Sequence, residues 1–553
     1  MDPLIQRIIH KSNAEKELVL RFEPRKKSRV SREGEEEVGV EEEQHQEDIG
    51  QSSTKDKSLY EMGEAGGEGS MESFLRWAAK LGITDLTRSF QSQFDEGGTC
   101  LGYSLTISHF PKEGGRGLAA SRHLRKGELV LRVPKQALIT RDGLLVKDNK
   151  LSFAVNGYPS LSPTHILAVC LLYEMGKGKS SFWYPYLMHL PHSYDILATF
   201  SEFEKQAFQV DDAIWATETA VAKARLEWKE ASALMEELKL KPQLLTFRAW
   251  LWASATISSR TLHIPWDEAG CLCPVGDLFN YTAPGDEPDI FENIKDCMHS
   301  SSLKASSLPY GNTTGTEAAD QCEKHCQRLI DAGFEEDVDA YCFYARRFYK
   351  KGEQVLLSYG TYTNLELLDH YGFLLNRNLN DKLFIPLEPE MYSSSSWLKE
   401  SLYLQENGEP SFALLSALRL WATQPSQRRS VGHLAYSGSL LSIDNEIAVT
   451  KWLLKKCHTI LEKLPTVIEE DHILLSVIDK VRSSPSDLKM EFSALEGEAL
   501  SFLAACTLQK RPDDSGKICR SMERWVLAIQ WRLGYKRILV DCISYCNERM
   551  KSL

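Results

Sequence analysis

The stretch Cys271–Pro288, CLCPVGDLFNYTAPGDEP, is a short apolar run that carries Asp277, Asn280 and Tyr281 and then stops in a Pro-Gly turn. A brief apolar run bounded by turn residues reads as a strand. A second such run, Gln354–Tyr359, lies within Gly352–Phe373, GEQVLLSYGTYTNLELLDHYGF. There a strand ends at Tyr359-Gly360, and a short amphipathic helix leads to Tyr371-Gly372-Phe373.

Working outward, residues 99–140 hold short β-rich runs broken by Gly and Pro (YSLTISHF, GELVLRVP, QALIT), a small all-β unit. Residues 160–255 between this unit and the late strands are mostly helical in pattern. A β core with a helical insertion is the economical reading. Ahead of it, MESFLRWAAKLGI places Phe74, Trp77, Ala78 and Leu81 on one helical face, with Gly82 as the stop. After about residue 385 the pattern is helix after helix, an all-α domain without a regular repeat.

The chain has 553 residues, enough for two to four domains. Its net charge of −12 argues against a phosphate-tracking surface, so nucleic acid is not an expected partner. No apolar run approaches the length a bilayer-spanning helix needs, so no membrane is expected either. Between Glu33 and Glu68 there are 13 acidic residues against two lysines and almost nothing apolar, which predicts a disordered region. Thirteen cysteines without disulfide spacing, and no signal-peptide core, fit a reducing compartment. Residues 1–32 are basic but include Asp2, Glu15, Glu17 and Glu23, unlike acid-poor transit peptides. The expected location is therefore cytoplasm or nucleus, with the chloroplast as the alternative.

GGRGLAA matches part of a dinucleotide fingerprint through Gly115, Gly117 and Ala120. Only about seven residues precede the Lys126-Gly127 turn, too few for a crossover helix, so that fold is rejected. The glycines remain, either as a loop that lets backbone approach a ligand or as an ordinary turn. Cys271, Cys273, Cys297, His299, Cys322, His325 and Cys326 lack paired-knuckle spacing and read as free thiols and histidines, with no metal site. Phosphate-loop, HExxH and Gly-x-Ser-x-Gly motifs are missing.

The order of three separated segments, the Gly115 glycines, Asp277–Tyr281 and Tyr359, resembles the SET-domain protein methyltransferases. The branch is the one similar to Rubisco large-subunit methyltransferase, of the plant SET-domain-group type. The resemblance starts at about residue 72 and includes RGLAASRHLRKGELVLRVP, SFWYPYLMHLP and LSIDNEIAV. It implies an α+β fold with a SET β-core, a knot-like crossing and a helical insertion. The implied divisions are a disordered region at 1–70, a SET domain at 71–380, and an all-α substrate-binding domain at 381–553. Within the SET domain the helical insertion falls at about 150–255 and a loop at about 296–336.

By the same resemblance the cofactor is S-adenosylmethionine (SAM), lined by Gly115, Arg116, Gly117, Glu128, Val130, Arg260, Asp277, Asn280, Tyr281 and Tyr359. Tyr359 takes the catalytic role, and Tyr371 lines the substrate channel. Where most relatives read Asn-His this chain reads Asn280-Tyr281, a bulkier residue with different donor geometry, and the difference bears on activity more than on fold. The implied activity is lysine methylation of a non-histone protein held by the helical domain, by a monomer. The alternatives are histidine methylation and a non-catalytic SET-fold interaction module.

Overall fold

The structure, a computed structural model, describes residues 68–86, 98–111, 115–284, 331–483, 498, 502 and 515–553. Apart from 68–70, the acidic region expected to be disordered lies outside the described residues. So does most of the 296–336 loop, with Cys297, His299, Cys322, His325 and Cys326.

The first helix, Glu68–Lys80, buries Phe74 and Ala78, as its periodicity predicts. Gly82 ends it at φ +80°, and the amides of Gly82 and Ile83 return to the carbonyls of Ala79 and Ala78. Strand β1 (Leu105–Phe110) pairs antiparallel with β2 (Gly115–Ala120). Strand β3 (Leu129–Pro134) joins a three-stranded sheet with β7 (Ala332–Glu335) and β8 (Ala340–Tyr344), in the order β3-β8-β7. Strands β4 (Thr261–Ile264) and β5 (Asp267–Leu272) form a hairpin. Strand β6 (Asn280–Tyr281) runs parallel to β9 (Leu356–Leu357).

Just ahead of β9 the chain also meets β2, through the Ala119–Gln354 bridge and the Val355 amide on the Leu118 carbonyl. The 354–357 segment is therefore held between β2 and β6, where the crossing was expected. The inserted helices Pro163–Lys177, Asp211–Glu237 and Phe247–Arg260 share one apolar core with the strands, including Leu167, Trp250, Leu272 and Phe343.

Three expectations need correction. The opening run is not one strand: β5 stops at Leu272, Gly276–Leu278 is a 3-10 turn, and β6 begins at Asn280. The break is tight, since a Cβ on Gly276 would lie 2.5 Å from Phe343 Cζ. Val275 beside it holds φ +70°, a costly conformation for a β-branched residue. Second, Gly115-Arg116-Gly117 lies within strand β2 rather than in a loop, because Ser108 and His109 of β1 pair with it. Third, the C-terminal domain is not wholly helical. Strand β10 (Lys382–Leu383) pairs with β11 (Leu404–Gln405), two-residue strands too short to leave a periodic signature.

The remaining C-terminal elements are helices, chiefly Phe412–Trp421, Ile443–Lys463, Ile468–Ser483 and Ser515–Ser552. The last one binds back to the insertion side: Arg524 pairs with Glu204 at 2.8 Å, and Arg532 donates to the Ala207 carbonyl at 2.6 Å. Among the described residues no helix is long and apolar enough to cross a membrane.

Candidate active site

Strand β2 passes so close to β6 and the 354 segment that any side chain at 117 would displace its neighbours. A Cβ there would meet Asn280 Nδ2 at 2.6 Å and Gln354 Nε2 at 2.8 Å. Asn280 Nδ2 donates to the Arg116 carbonyl at 3.4 Å, tying β6 to β2. Arg116 Nη2 in turn donates to the His189 carbonyl at 2.6 Å, which fixes its side chain against the SFWYPYLMHLP segment. Burial pulls the Arg116 guanidinium below its ordinary pKa, with the Asp277 carboxylate opposing. Gly115 opens the strand at φ +75°, with open space around its Cα.

The 3-10 turn delivers Asp277 to Arg260, at the end of the Phe247–Arg260 helix. Asp277 Oδ2 accepts from Arg260 Nη1 at 3.0 Å and from the Tyr186 hydroxyl at 2.9 Å. Arg260 Nε donates to the Tyr194 oxygen at 3.3 Å. Burial is the largest influence and works against the Arg260 charge, but Asp277 together with the Tyr194 and Tyr186 hydroxyls holds the guanidinium above its ordinary pKa. Arg260 is thus engaged by Asp277 on one side, and its Nη2 takes no protein acceptor among the described residues.

The third part is aromatic. The Tyr359 hydroxyl donates to the Phe279 carbonyl, and the Tyr281 hydroxyl donates to the Gly360 carbonyl at 2.9 Å. The Tyr359 ring lies 5.2 Å from both Tyr281 and Tyr371, with Phe373 and Tyr362 completing the wall. Burial raises the Tyr359 and Tyr371 hydroxyls, and raises Tyr281 to about 12. All three therefore stay protonated at neutral pH.

Of the expected site residues, Arg116, Gly117, Arg260, Asp277, Asn280, Tyr281, Tyr359 and Tyr371 form this connected set. Glu128 does not join it by hydrogen bond: its carboxylate is paired with Arg122 and accepts the Arg125 amide at 2.9 Å. The Val130 side chain is buried in the core, yet the β3–β8 register skips it, which leaves its backbone at a bulge. Cys271 and Cys273 are buried free thiols.

Sequence reading missed Tyr186, Tyr194 and Gln354. Gln354 is 7% exposed, and neither its Nε2 nor its Oε1 has a hydrogen-bond partner. Such a buried amide costs roughly 1–3 kcal/mol and invites a polar ligand group. Its strand position carries no local signal of this state.

The SET-domain profile matches residues 115–360, ending just after Tyr359, and the Rubisco LSMT substrate-binding profile matches 378–539. Protein SET DOMAIN GROUP 40 of Arabidopsis thaliana is 55% identical over 501 residues, 87% of this chain and 96% of that one. The chain belongs to the SET-domain family. Actin-histidine N-methyltransferase of Xenopus tropicalis is 25% identical over 439 residues, covering 72% of this SET protein but only 65% of its own length. Among solved structures, the SET domain of LSMT bound to lysine and AdoHcy has a similar fold, with a TM-score of 0.54 and 17% identity over 88% of this chain and 93% of that one. Tyr371 and Phe373 lie between the two profile matches of this SET protein.

Proposed function

We propose that this SET protein is a SAM-dependent methyltransferase that modifies a lysine of a non-histone protein. One observation carries the reading. Tyr359, inside an aromatic wall, anchors its hydroxyl on the carbonyl of Phe279, the residue before Asn280, whose side chain meets Gly117 beside that of Gln354.

SAM supplies, when bound, a methyl group on a sulfonium. The residues present fit it: the orphaned Gln354 amide wants polar partners, and the missing Cβ of Gly117 lets the Asn280 and Gln354 amides close on that strand. Gly115, Arg116, Gly117, Asn280 and Gln354 would hold it, with Arg260 facing its carboxylate and the backbone of Glu128 and Val130 along its edge. Arg–carboxylate contacts are strong and directional.

In-line displacement asks the protein for alignment and dryness more than for a strong acid. The Tyr359 hydroxyl donates its proton to Phe279, so its oxygen keeps lone pairs for an incoming amine. The rings of Tyr281, Tyr359, Tyr371 and Phe373 exclude water and disfavour an ammonium, lowering the acceptor's pKa so that it loses its proton before attack. The helical domain would hold the substrate protein. The cysteine pattern of the sequence favours a reducing compartment, cytoplasm or nucleus, with the chloroplast as the alternative.

Histidine as acceptor is the second reading, favoured by the actin-histidine methyltransferases among the relatives. The test is incubation with methyl-labelled SAM and a eukaryotic cell extract, beside a Tyr359→Phe control, followed by mass spectrometry of the labelled peptides. A labelled band absent from the control supports the enzyme, and the modified residue decides between lysine and histidine. No SAM binding and no label under any condition would leave the SET fold as an interaction module.

A further inference from the structure

Tyr281 and Tyr359 make the same contact in opposite directions. Tyr359 donates to the carbonyl of Phe279, two residues before Tyr281, and Tyr281 donates to the carbonyl of Gly360, one residue after Tyr359. Their rings are 5.2 Å apart, so the two hydrogen bonds form a reciprocal clasp around one ring contact.

The backbone between these segments does little by itself. Strands β6 and β9 pair over two residues only, Asn280 with Leu356 and Tyr281 with Leu357, and the Thr282 amide adds one bond to the Leu357 carbonyl at 3.1 Å. So short a parallel pair is weak. Beyond Leu357 the chain runs to Gly360 at φ +132°, a conformation open to glycine and to few other residues. A glycine peptide there can point its carbonyl in several directions, and the side chain that captures it decides which.

We propose that Tyr281 is a positioning residue for methyl transfer: its hydroxyl sets the Gly360 peptide, and through that peptide the Tyr359 ring, and it takes the Gly360 carbonyl out of reach of the incoming amine. The proposal rests on the methyltransferase reading for its chemistry, but the clasp is measurable without it. Burial keeps the Tyr281 hydroxyl protonated, so the donor is present throughout the working pH range. Tyr281 is 8% exposed, so water does not compete for the bond.

Hydrogen–deuterium exchange on the purified full-length protein without ligand tests the clasp. Tyr281→Phe, which keeps the ring, should speed exchange of the Tyr362 and Thr282 amides about tenfold and leave the β1–β2 amides at wild-type rates. 4-Aminophenylalanine at position 281 restores an N–H donor and should restore protection, which also covers the case in which Tyr281→Phe does not fold. Unchanged exchange in a folded Tyr281→Phe, or lost protection in a folded aminophenylalanine protein, overturns the proposal.

The functional arm is the methyl-labelling rate at saturating SAM beside SAM affinity by calorimetry. Tyr281→Phe should cut the rate about tenfold with the SAM Kd within twofold of wild type, and an equal change in both would refute positioning. A wild-type protein that fails to bind SAM would instead strike the methyltransferase reading, with the exchange result standing on its own.

Discussion

Arg260 Nη1 lies 3.0 Å from Asp277 Oδ2 and also 3.0 Å from the Asp277 carbonyl oxygen, so one guanidinium grips both the side chain and the backbone of the same residue. The Asp277 side chain is 4% exposed and that of Arg260 19%. This ion pair joins the end of the last inserted helix to the turn that precedes β6, and it is the electrostatic centre of the site.

Asp277→Asn keeps the shape and removes the charge. Breaking a buried pair costs about 3–5 kcal/mol, and the partial exposure of Arg260 puts the loss near the lower end. Urea unfolding of the two proteins measures it, and SAM affinity should fall as the turn loosens. A loss below about 1 kcal/mol, within the range of a surface pair, would show that the pair is not structural.

Gly117→Ala should separate stability from binding. The atoms its Cβ would meet are the ends of the Asn280 and Gln354 side chains, which can swing aside, and the backbone here is not left-handed. Thermal unfolding of the apo protein should therefore move by only about 1 kcal/mol, within the scale of a small overpacking change. SAM affinity should drop at least tenfold if, as proposed, the same two amides hold the cofactor.

Gln354→Leu should move the two quantities in opposite directions. Removing an unsatisfied buried amide stabilises the apo protein by roughly 1 kcal/mol. If a ligand completes that amide, SAM binding weakens in the same variant. Equal or tighter SAM binding by Gln354→Leu would remove Gln354 from the cleft.

Asp381 makes stability depend on pH. Burial pushes its carboxyl up to about 6, against the amide hydrogen bonds from Asn364 and Lys382. A carboxyl whose folded pKa lies above its unfolded value of about 4 holds its proton more tightly when folded. Its contribution is thus present at low pH and is lost as pH rises through about 4 to about 6. Asp381→Asn should match the wild type near pH 4 and exceed it near pH 7 by roughly 1–2 kcal/mol, after allowance for partial exposure. Melting temperatures at the two pH values check the sign.

Much of this protein is local and was legible. The first helix and its Gly82 stop, the helical insertion, the late pairing segments and the helical C-terminal domain follow from periodicity and from Gly and Pro placement. The strand ends were not: Asp277 falls in the 3-10 turn, Asn280 opens β6 instead of closing a strand, and β9 stops at Leu357, two residues before Tyr359. The broken run at Val275 was not, because the space a side chain at 276 would need is taken by Phe343, 67 residues further along the chain.

The amino-acid sequence by itself determined which elements form and which residue types they carry to the crossing. Only the tertiary structure decided that Asp277 would be shared by Arg260 and Tyr186, that Gln354 would be buried without a partner, and that the Tyr281 hydroxyl would close on Gly360. Each of these depends on segments brought together from far along the chain, and hydrogen-bond geometry and burial belong to that meeting and to no single stretch.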